Sequence, residues 1–322
     1  MSLVTSFSTA QIAALSTNTI AALATADVAG LNSDQFAALT TTQFSVLTSR
    51  QIAVITTTQL SLGLTTNQVV ALSTLQASAL SSNQVGALTT NALVALETAD
   101  FAVLKTAAMV GLSSDQVKVL STDQIVALTT TQAGSLGSDQ AQSLTTNQIV
   151  SLQSADAAAL KTSVIAALSS NQVHALTTDN VASLKSAQFA AMTSDQLAGL
   201  STDQIVAMAS AQFSGLNSSQ FNALSTNNIA AIETRDLVGL KTSIIATLSS
   251  DQFKVLTTDQ VQSLTSAQFA AISTDNLNAL STNQIVAIGS NQAAALTTAQ
   301  ASSLSTNQIK ALDTVDFAAI KT

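Results

Sequence analysis

The fold of this chain is decided by an eight-residue stretch, Ser8-Thr9-Ala10-Gln11-Ile12-Ala13-Ala14-Leu15, whose pattern recurs along the rest of the sequence. We number these residues as positions 1 to 8 of an octad. Position 8 returns at Leu23, Leu31, Leu39, Leu47 and Ile55, and one extra residue near 62–63 shifts the register to Leu64. From Leu64 the register runs unbroken to Ile320, which gives 39 octads. The pattern predicts a single octad-repeat array over residues 1–322, with a one-residue register insertion near residues 62–63.

The eight columns of the repeat differ sharply in composition. Position 8 is Leu, Ile or Met in all 39 octads, and position 5 is apolar and carries nine of the ten Phe residues. Position 4 is Gln in 26 octads, and all 28 charged side chains fall at positions 1, 3, 4 or 6. This segregation predicts that positions 5 and 8 face a core and that positions 1, 3 and 6 face water, with position 7 at a close contact.

The spacing of the apolar columns favours short helices. Positions 5 and 8 are related as i and i+3, which is helical spacing, whereas a strand would alternate at i and i+2. A continuous α-helix is excluded, because eight residues leave the apolar stripe about 80° out of register per octad. We therefore predict an all-α, continuous solenoid of about 39 octads, each one short capped helix plus a tight corner. A β-solenoid is the alternative, since Ser/Thr columns also suit strands.

Two columns could cap these helices. Position 2 is Ser or Thr in all 39 octads, so we predict that it is the N-cap and is partly buried. In the alternative register position 1 is the cap, and Gln at position 4 completes a capping box. Position 1 tolerates Glu97, Lys105, Gln153 and Gly137, which favours position 2.

Composition restricts the partners. The net charge of −8, with only ten Lys and Arg, excludes the basic patch that nucleic-acid binding needs. Hydroxyl residues interrupt every apolar run, so the sequence contains no stretch of about 20 apolar residues and membrane insertion is not expected. The sequence from Met1 to Val4 has no basic segment and no apolar core of a cleaved Sec signal.

The residues offer little chemistry. His174 is the single His and there is no Cys, so no cofactor or metal is predicted and His174 is expected to be exposed. The Ser/Thr columns lack an activating base and are predicted to be architectural. The chain is therefore not expected to be an enzyme. A regular Thr array leaves ice binding as a remote alternative.

One feature interrupts the monotony of the repeat. In four octads an Asp replaces Gln at position 4 and a Lys follows at position 1 of the next unit, 7, 10 and 10 octads apart. The pairs are Asp100 with Lys105, Asp156 with Lys161, Asp236 with Lys241, and Asp316 with Lys321. We predict a higher-order duplication that carries a local salt bridge; a partner or ion site once per higher-order unit is the alternative.

The array resembles the tandem L-[ST]-T-x-Q-h-x-A-L octads of very large secreted or cell-surface proteins of bacteria. The resemblance implies a secreted or cell-surface protein exported without a cleaved Sec signal. The expected function is structural, as a stalk, spacer or filament-forming component; a protein- or peptide-binding scaffold is the alternative. No polar capping octad is visible at either end, so either the chain is cut from a longer array or its ends stack on other copies; we expect the second, as end-to-end self-association.

Overall fold

A computed structural model describes residues 4–321 of the chain, and all their regular elements are helices. The predicted all-α repeat solenoid is confirmed, and the β-solenoid alternative is wrong for these residues. The chain divides into two compact units, one ending at Ala167 and the other beginning at Leu168.

The first unit opens with a 3-10 turn, Val4–Ser6, and contains 19 α-helices of four to six residues among its described residues. The helices are Thr9–Ala13, Thr17–Ala21, Thr25–Gly30, Ser33–Ala37, Thr41–Ser45, Ser49–Ile52, Thr66–Val70, Thr74–Ala77, Ser82–Gly86, Thr90–Ala95, Thr98–Ala102, Thr106–Val110, Ser114–Val119, Thr122–Val126, Thr130–Ser135, Ser138–Ser143, Thr146–Val150, Ser154–Ala159 and Thr162–Ala167. The extra residue of the register lies in a π-helical turn, Gln59–Gly63, the form in which a helix takes up one additional residue.

The second unit also contains 19 α-helices in its described part. They are Ser170–His174, Thr178–Ser183, Ser186–Ala191, Ser194–Ala198, Thr202–Val206, Ser210–Gly215, Ser218–Asn222, Thr226–Ala231, Thr234–Val238, Thr242–Ile245, Ser250–Lys254, Thr258–Ser263, Ser266–Ala270, Thr274–Ala279, Thr282–Val286, Ser290–Ala293, Thr298–Ser303, Thr306–Ala311 and Thr314–Ala319.

Every α-helix begins at position 2, so the prediction that position 2 is the N-cap is wrong and position 1 is the cap. Thr145 is typical: its side chain accepts from the N–H of Gln148, and its own N–H donates to Gln148 Oε1 at 2.7 Å. This capping box tolerates Gly137 and Lys185, because the Gln at position 4 bonds the backbone N–H of position 1 whatever its side chain. The Thr residues at position 2 are nearly all exposed, so the expected partial burial of that column is also wrong for them.

The corners need no special backbone geometry. In the octad 137–144, Leu144 has φ −60° and ψ 133°, and the following Thr145 has φ −74° and ψ 159°. Two extended residues therefore turn the chain between helices, and no described residue has a positive φ. This explains why the repeat has no glycine column, since its helices end without a left-handed cap.

Helices this short are unstable alone, so packing between octads holds the fold together. Positions 5 and 8 form the predicted core: Phe213 and Phe269 are 0% exposed, and Leu176 is 3% exposed. In the first unit Thr90–Ala95 packs on Thr66–Val70, and in the second Ser210–Gly215 packs on Ser186–Ala191. Both pairs are three octads apart.

A second set of contacts spans four octads. The side chain of Gln204 is 2% exposed, and its Nε2 donates to the carbonyl oxygens of Val173 at 3.1 Å and Leu176 at 2.7 Å. These acceptors lie 31 and 28 residues earlier, at the carboxyl end of another helix. Buried Gln side chains at position 4 repeat this arrangement in both units, and we call them the glutamine ladder. With contacts at both three and four octads, each unit coils with between three and four octads per turn.

Candidate functional site

The four Asp residues predicted as site residues lie in the glutamine ladder. Asp100, Asp156 and Asp236 are 2%, 2% and 1% exposed, and Asp316 is 7% exposed. A carboxylate has no N–H to donate, so each of these octads lacks the amide that normally bonds the helix four octads back. Among residues 4–321, the Oδ2 atoms of Asp100, Asp156 and Asp236 are buried without a hydrogen-bond partner.

The predicted salt bridges do not form in the described part of the chain. No ion pair within 4 Å joins Asp100 to Lys105, Asp156 to Lys161, Asp236 to Lys241 or Asp316 to Lys321. The reason is geometric: the Asp points into the ladder of its own helix, whereas the Lys lies at position 1 of the following octad. The first three lysines precede Thr106–Val110, Thr162–Ala167 and Thr242–Ile245, and Lys321 is exposed.

Donors at position 1 partly replace the missing amides. Gln153, in the octad of Asp156, donates from Nε2 to the carbonyl oxygen of Val126 at 2.9 Å. In the next octad position 4 is Val164, and the Nζ of Lys161 donates to the carbonyl oxygen of Ser135 at 3.3 Å. The sequence analysis did not predict this role. The available signal was that these two octads, which lack Gln at position 4, carry Gln153 and Lys161, both hydrogen-bond donors, at position 1.

The environment of two aspartates disfavours ionisation. Burial raises the pKa of the Asp100 carboxyl above its usual value, and the nearby Glu97 carboxylate raises it further. Burial also raises the pKa of Asp156, partly offset by a hydrogen bond from the Thr130 side chain. The negative charge of both groups is therefore poorly compensated.

The other two aspartates each accept a short hydrogen bond from a serine hydroxyl. Asp236 accepts from the Ser210 hydroxyl at 2.5 Å, and its Oδ2 lies 3.9 Å from Nε of Arg235, which also pairs with Glu233. Asp316 accepts from the Ser290 hydroxyl at 2.6 Å. In both cases the hydroxyl comes from position 2 of the helix three octads earlier.

The remaining candidate chemistry is sparse. His174 is exposed, as predicted, and its Nδ1 lies 2.8 Å from the carbonyl oxygen of Gly199. Across residues 4–321 there is no group of three or more His, Cys, Asp or Glu that could hold a metal ion. No described helix is long and apolar enough to cross a membrane.

Two concave surfaces stand out, one in each unit. A cleft of about 700 Å³ in the first unit is bordered by Leu23, Arg50 and Leu75, and Leu75 is 71% exposed. A depression of about 360 Å³ in the second unit is bordered by Leu304, Ile309 and Phe317. Ile309 and Phe317 occupy the core column yet are 41% and 54% exposed.

Comparison with known proteins identifies the repeat. The model of the ALTTAQ repeat matches six segments, residues 4–41, 93–130, 149–186, 182–210, 229–266 and 269–306. No curated protein matches the chain. Among solved structures, the leucine-rich repeat-containing protein LegL7 from Legionella pneumophila is 13% identical, with 78% of this chain and 79% of that chain covered and a TM-score of 0.16. A score that low does not indicate a shared fold. Because the six segments cover more than half of its residues, the chain belongs to the ALTTAQ repeat family.

Proposed function

We propose that this chain is a structural repeat protein of the bacterial exterior, a stalk, spacer or filament-forming surface component, and that it does no catalysis. Its tandem-repeat fold supports a structural or scaffold role. Exposed Tyr and Trp, which usually anchor binding faces, are absent from the sequence, and the buried Phe residues serve the core.

The observation that carries the proposal is the incomplete burial of core-column residues in residues 305–321. Phe269 and Ile285 are fully buried by the coil that follows them, whereas Phe317 and Ile309 are 54% and 41% exposed. The exposed residues belong to the same core columns that, in earlier octads, are buried between one coil and the next. A further coil of octads would cover them, and in the proposed filament a second copy of this chain supplies that coil.

Backbone acceptors on this surface are consistent with such a contact. In the described residues no donor bonds the carbonyl oxygen of Leu304, whereas the corresponding oxygen of Ile272 accepts from Gln300 Nε2 at 2.7 Å. Gln11 is exposed, and within residues 4–321 its Nε2 bonds no carbonyl. A head-to-tail contact between copies would join these groups, and repetition of such a contact produces an open filament unless it closes into a ring.

Sedimentation of the purified chain over a hundredfold range of concentration tests this proposal. We expect association that grows with concentration and is abolished by Phe317→Asp. The matched control is Ala318→Asp, which adds the same charge at an exposed residue one position away and should leave association intact. A strictly monomeric wild-type chain at every concentration would refute filament formation.

The proposed location is the cell surface or the medium, reached without a cleaved Sec signal. The resemblance of the octads to those of bacterial surface proteins supports it. Protease treatment of intact source cells should degrade the protein, while a cytoplasmic marker survives. Protection of the protein until the cells are lysed would contradict this location.

The cleft at Arg50 and Leu75 favours a second candidate, a protein- or peptide-binding scaffold. Its apolar rim and single guanidinium suit a short acidic-apolar peptide. Peptide-library selection on the wild-type chain, with Leu75→Asp as the control, tests this candidate. Selected peptides that bind both proteins equally would exclude this cleft as the binding site.

A further inference from the structure

Acidic residues at position 1 always accompany Asp at position 4. Only three of the 39 octads have an acid at position 1, namely Glu97, Glu233 and Asp313, and each is followed three residues later by Asp100, Asp236 or Asp316. These positions are the ones from which Gln, Lys and Asn side chains elsewhere donate to the coil below. A pair of carboxylates at positions 1 and 4 therefore places negative charge where other octads have hydrogen-bond donors.

The octad 97–104 is the clearest example, because natural Asn residues show where its Asp points. Asn228 and Asn276 occupy position 4 and donate from Nδ2 to the carbonyl oxygens of Leu200 at 2.9 Å and Leu248 at 2.7 Å. These acceptors lie 28 residues earlier. Asp100 has the same length at the same position, and its Oδ2 is buried without a partner among residues 4–321. By analogy with the two Asn residues, we place this Oδ2 toward the corresponding oxygen of Leu72.

The second acid of this octad reaches the same region. The position-1 side chains of Gln153 and Lys161 contact carbonyl oxygens 27 and 26 residues earlier, at the carboxyl ends of helices four octads back. Glu97 lies at this position and is therefore directed toward the carboxyl end of Thr66–Val70. No donor bonds the carbonyl oxygen of Leu72 within residues 4–321. The two carboxylates and this carbonyl oxygen are all hydrogen-bond acceptors.

A second octad shows that such a pair accepts a cation. Between Glu233 and Asp236 lies Arg235 at position 3, whose guanidinium pairs with Glu233 and lies 3.9 Å from Asp236 Oδ2. In the octad 97–104 position 3 is Ala99, so the chain supplies no cation of its own between the two acids.

We propose that Glu97 and Asp100, with the carbonyl oxygen of Leu72, bind a divalent cation of the calcium class. Ca²⁺ is coordinated by carboxylate and backbone carbonyl oxygens in flexible geometry, which suits this mixed set. Two carboxylates and one carbonyl leave several coordination positions to water, so the expected Kd is on the order of 1 mM, as in extracellular modules. The bound ion would join two coils at a point where the glutamine ladder is interrupted.

Hydrogen exchange followed by mass spectrometry tests this site in the full chain at pH 7. Adding 5 mM CaCl2 to chelator-treated protein should slow exchange in residues 65–72 and 97–104 by about sixfold, the factor expected for a Kd near 1 mM. Exchange in the octad 233–240, which holds Arg235, should not change.

Three variants sharpen the test. Glu97→Gln and Asp100→Asn should abolish the calcium effect, and both should fold, since Asn occurs naturally at position 4. Ala99→Arg should slow exchange without calcium and remove the response, because it restores the arrangement of Arg235. Asp123→Asn, at an exposed acid of another octad, is the control and should respond like the wild type.

Two results would overturn the proposal. One is a wild-type chain whose exchange is unaffected by calcium but slows in the octad 97–104 on acidification, in which case a proton on Asp100 replaces the missing donor. The other is a calcium response that survives in Asp100→Asn, which would place the ion elsewhere. Neither result bears on end-to-end association, so the two proposals fail independently.

Discussion

Replacing one buried Gln of the glutamine ladder should lower the free energy of unfolding by more than the loss of a helix cap alone. In Gln204→Leu the side chain keeps its approximate size but loses its amide. Leu176 is then left with a buried carbonyl oxygen that has no donor, whereas the Val173 oxygen still accepts from the Leu176 N–H. The Ser201 N–H also loses Gln204 Oε1 at 2.9 Å, but Ser201 is half-buried and water can reach it.

The expected loss follows from these bonds. One orphaned buried carbonyl costs about 1–3 kcal/mol, and loss of the capping hydrogen bond adds about 1 kcal/mol, so the free energy of unfolding should fall by about 3 kcal/mol. Gln11→Leu is the matched control, because exposed Gln11 makes the capping bond with Ser8 but no inter-coil bond among residues 4–321. Its loss should not exceed about 1 kcal/mol.

Guanidinium unfolding followed by far-UV circular dichroism measures both variants, and hydrogen exchange localises the effect. We expect faster exchange in residues 169–176 and 201–208 of Gln204→Leu. Equal losses of stability in the two variants would refute the inter-coil role of the ladder, as would an unchanged unfolding midpoint for Gln204→Leu.

Three further predictions follow from burial, charge and close backbone contact. Leu80→Asp should unfold the region around its octad, whereas Leu75→Asp should be tolerated, since these residues of one octad are 3% and 71% exposed; equal melting temperatures would contradict the octad register. Asp156→Asn should raise the melting temperature at pH 7, because a folded pKa above the unfolded value costs stability as pH rises through it. This difference should shrink below about pH 4, near the unfolded pKa, and a difference independent of pH would show that charge is not the cause. Gly86→Ala should lower the melting temperature although Ala favours helix, because the new Cβ would lie 2.9 Å from the carbonyl oxygen of Gly111; a stabilised variant would show that the coils adjust.

The core of the fold was predictable because its two columns, positions 5 and 8, are almost purely apolar. No charge occurs at positions 5 and 8, so residues such as Leu176 and Phe213 could be assigned to the interior without a structure. The helical class followed from their spacing of three residues. Both predictions rest on burial of apolar side chains, which the sequence records directly.

The polar interior was not predictable in the same way. An amide such as Gln204 reads as a surface residue, because its burial depends on acceptors 28 to 31 residues away. Its frequency was the missed signal: Gln fills position 4 in 26 octads, while position 1 is mostly Ser or Thr but also accepts Gly, Ala and Lys. That combination fits a capping box in which the backbone N–H of position 1 donates to the Gln side chain of position 4. The invariant hydroxyl of position 2 is therefore not evidence that position 2 is the N-cap.

The sequence spacing of the Asp–Lys pairs is misleading for a related reason. Asp156 and Lys161 are close in sequence, which suggested a local salt bridge. In the coil, each contacts a helix several octads earlier instead, and Lys161 donates to Ser135. Local spacing cannot reveal such contacts without the number of octads per turn.

Crosslinking across the coil tests its central feature, the packing of each helix on the helix three octads on. The Ser114 hydroxyl lies 3.3 Å from the carbonyl oxygen of Asp139, and the chain has no natural cysteine. In the double variant Ser114→Cys with Asp139→Cys, a short bismaleimide should therefore join the two residues rapidly. Ser114→Cys with Thr131→Cys places the second thiol at the same position two octads on and should react slowly. Equal or faster crosslinking in the second variant would contradict a coil of three to four octads per turn.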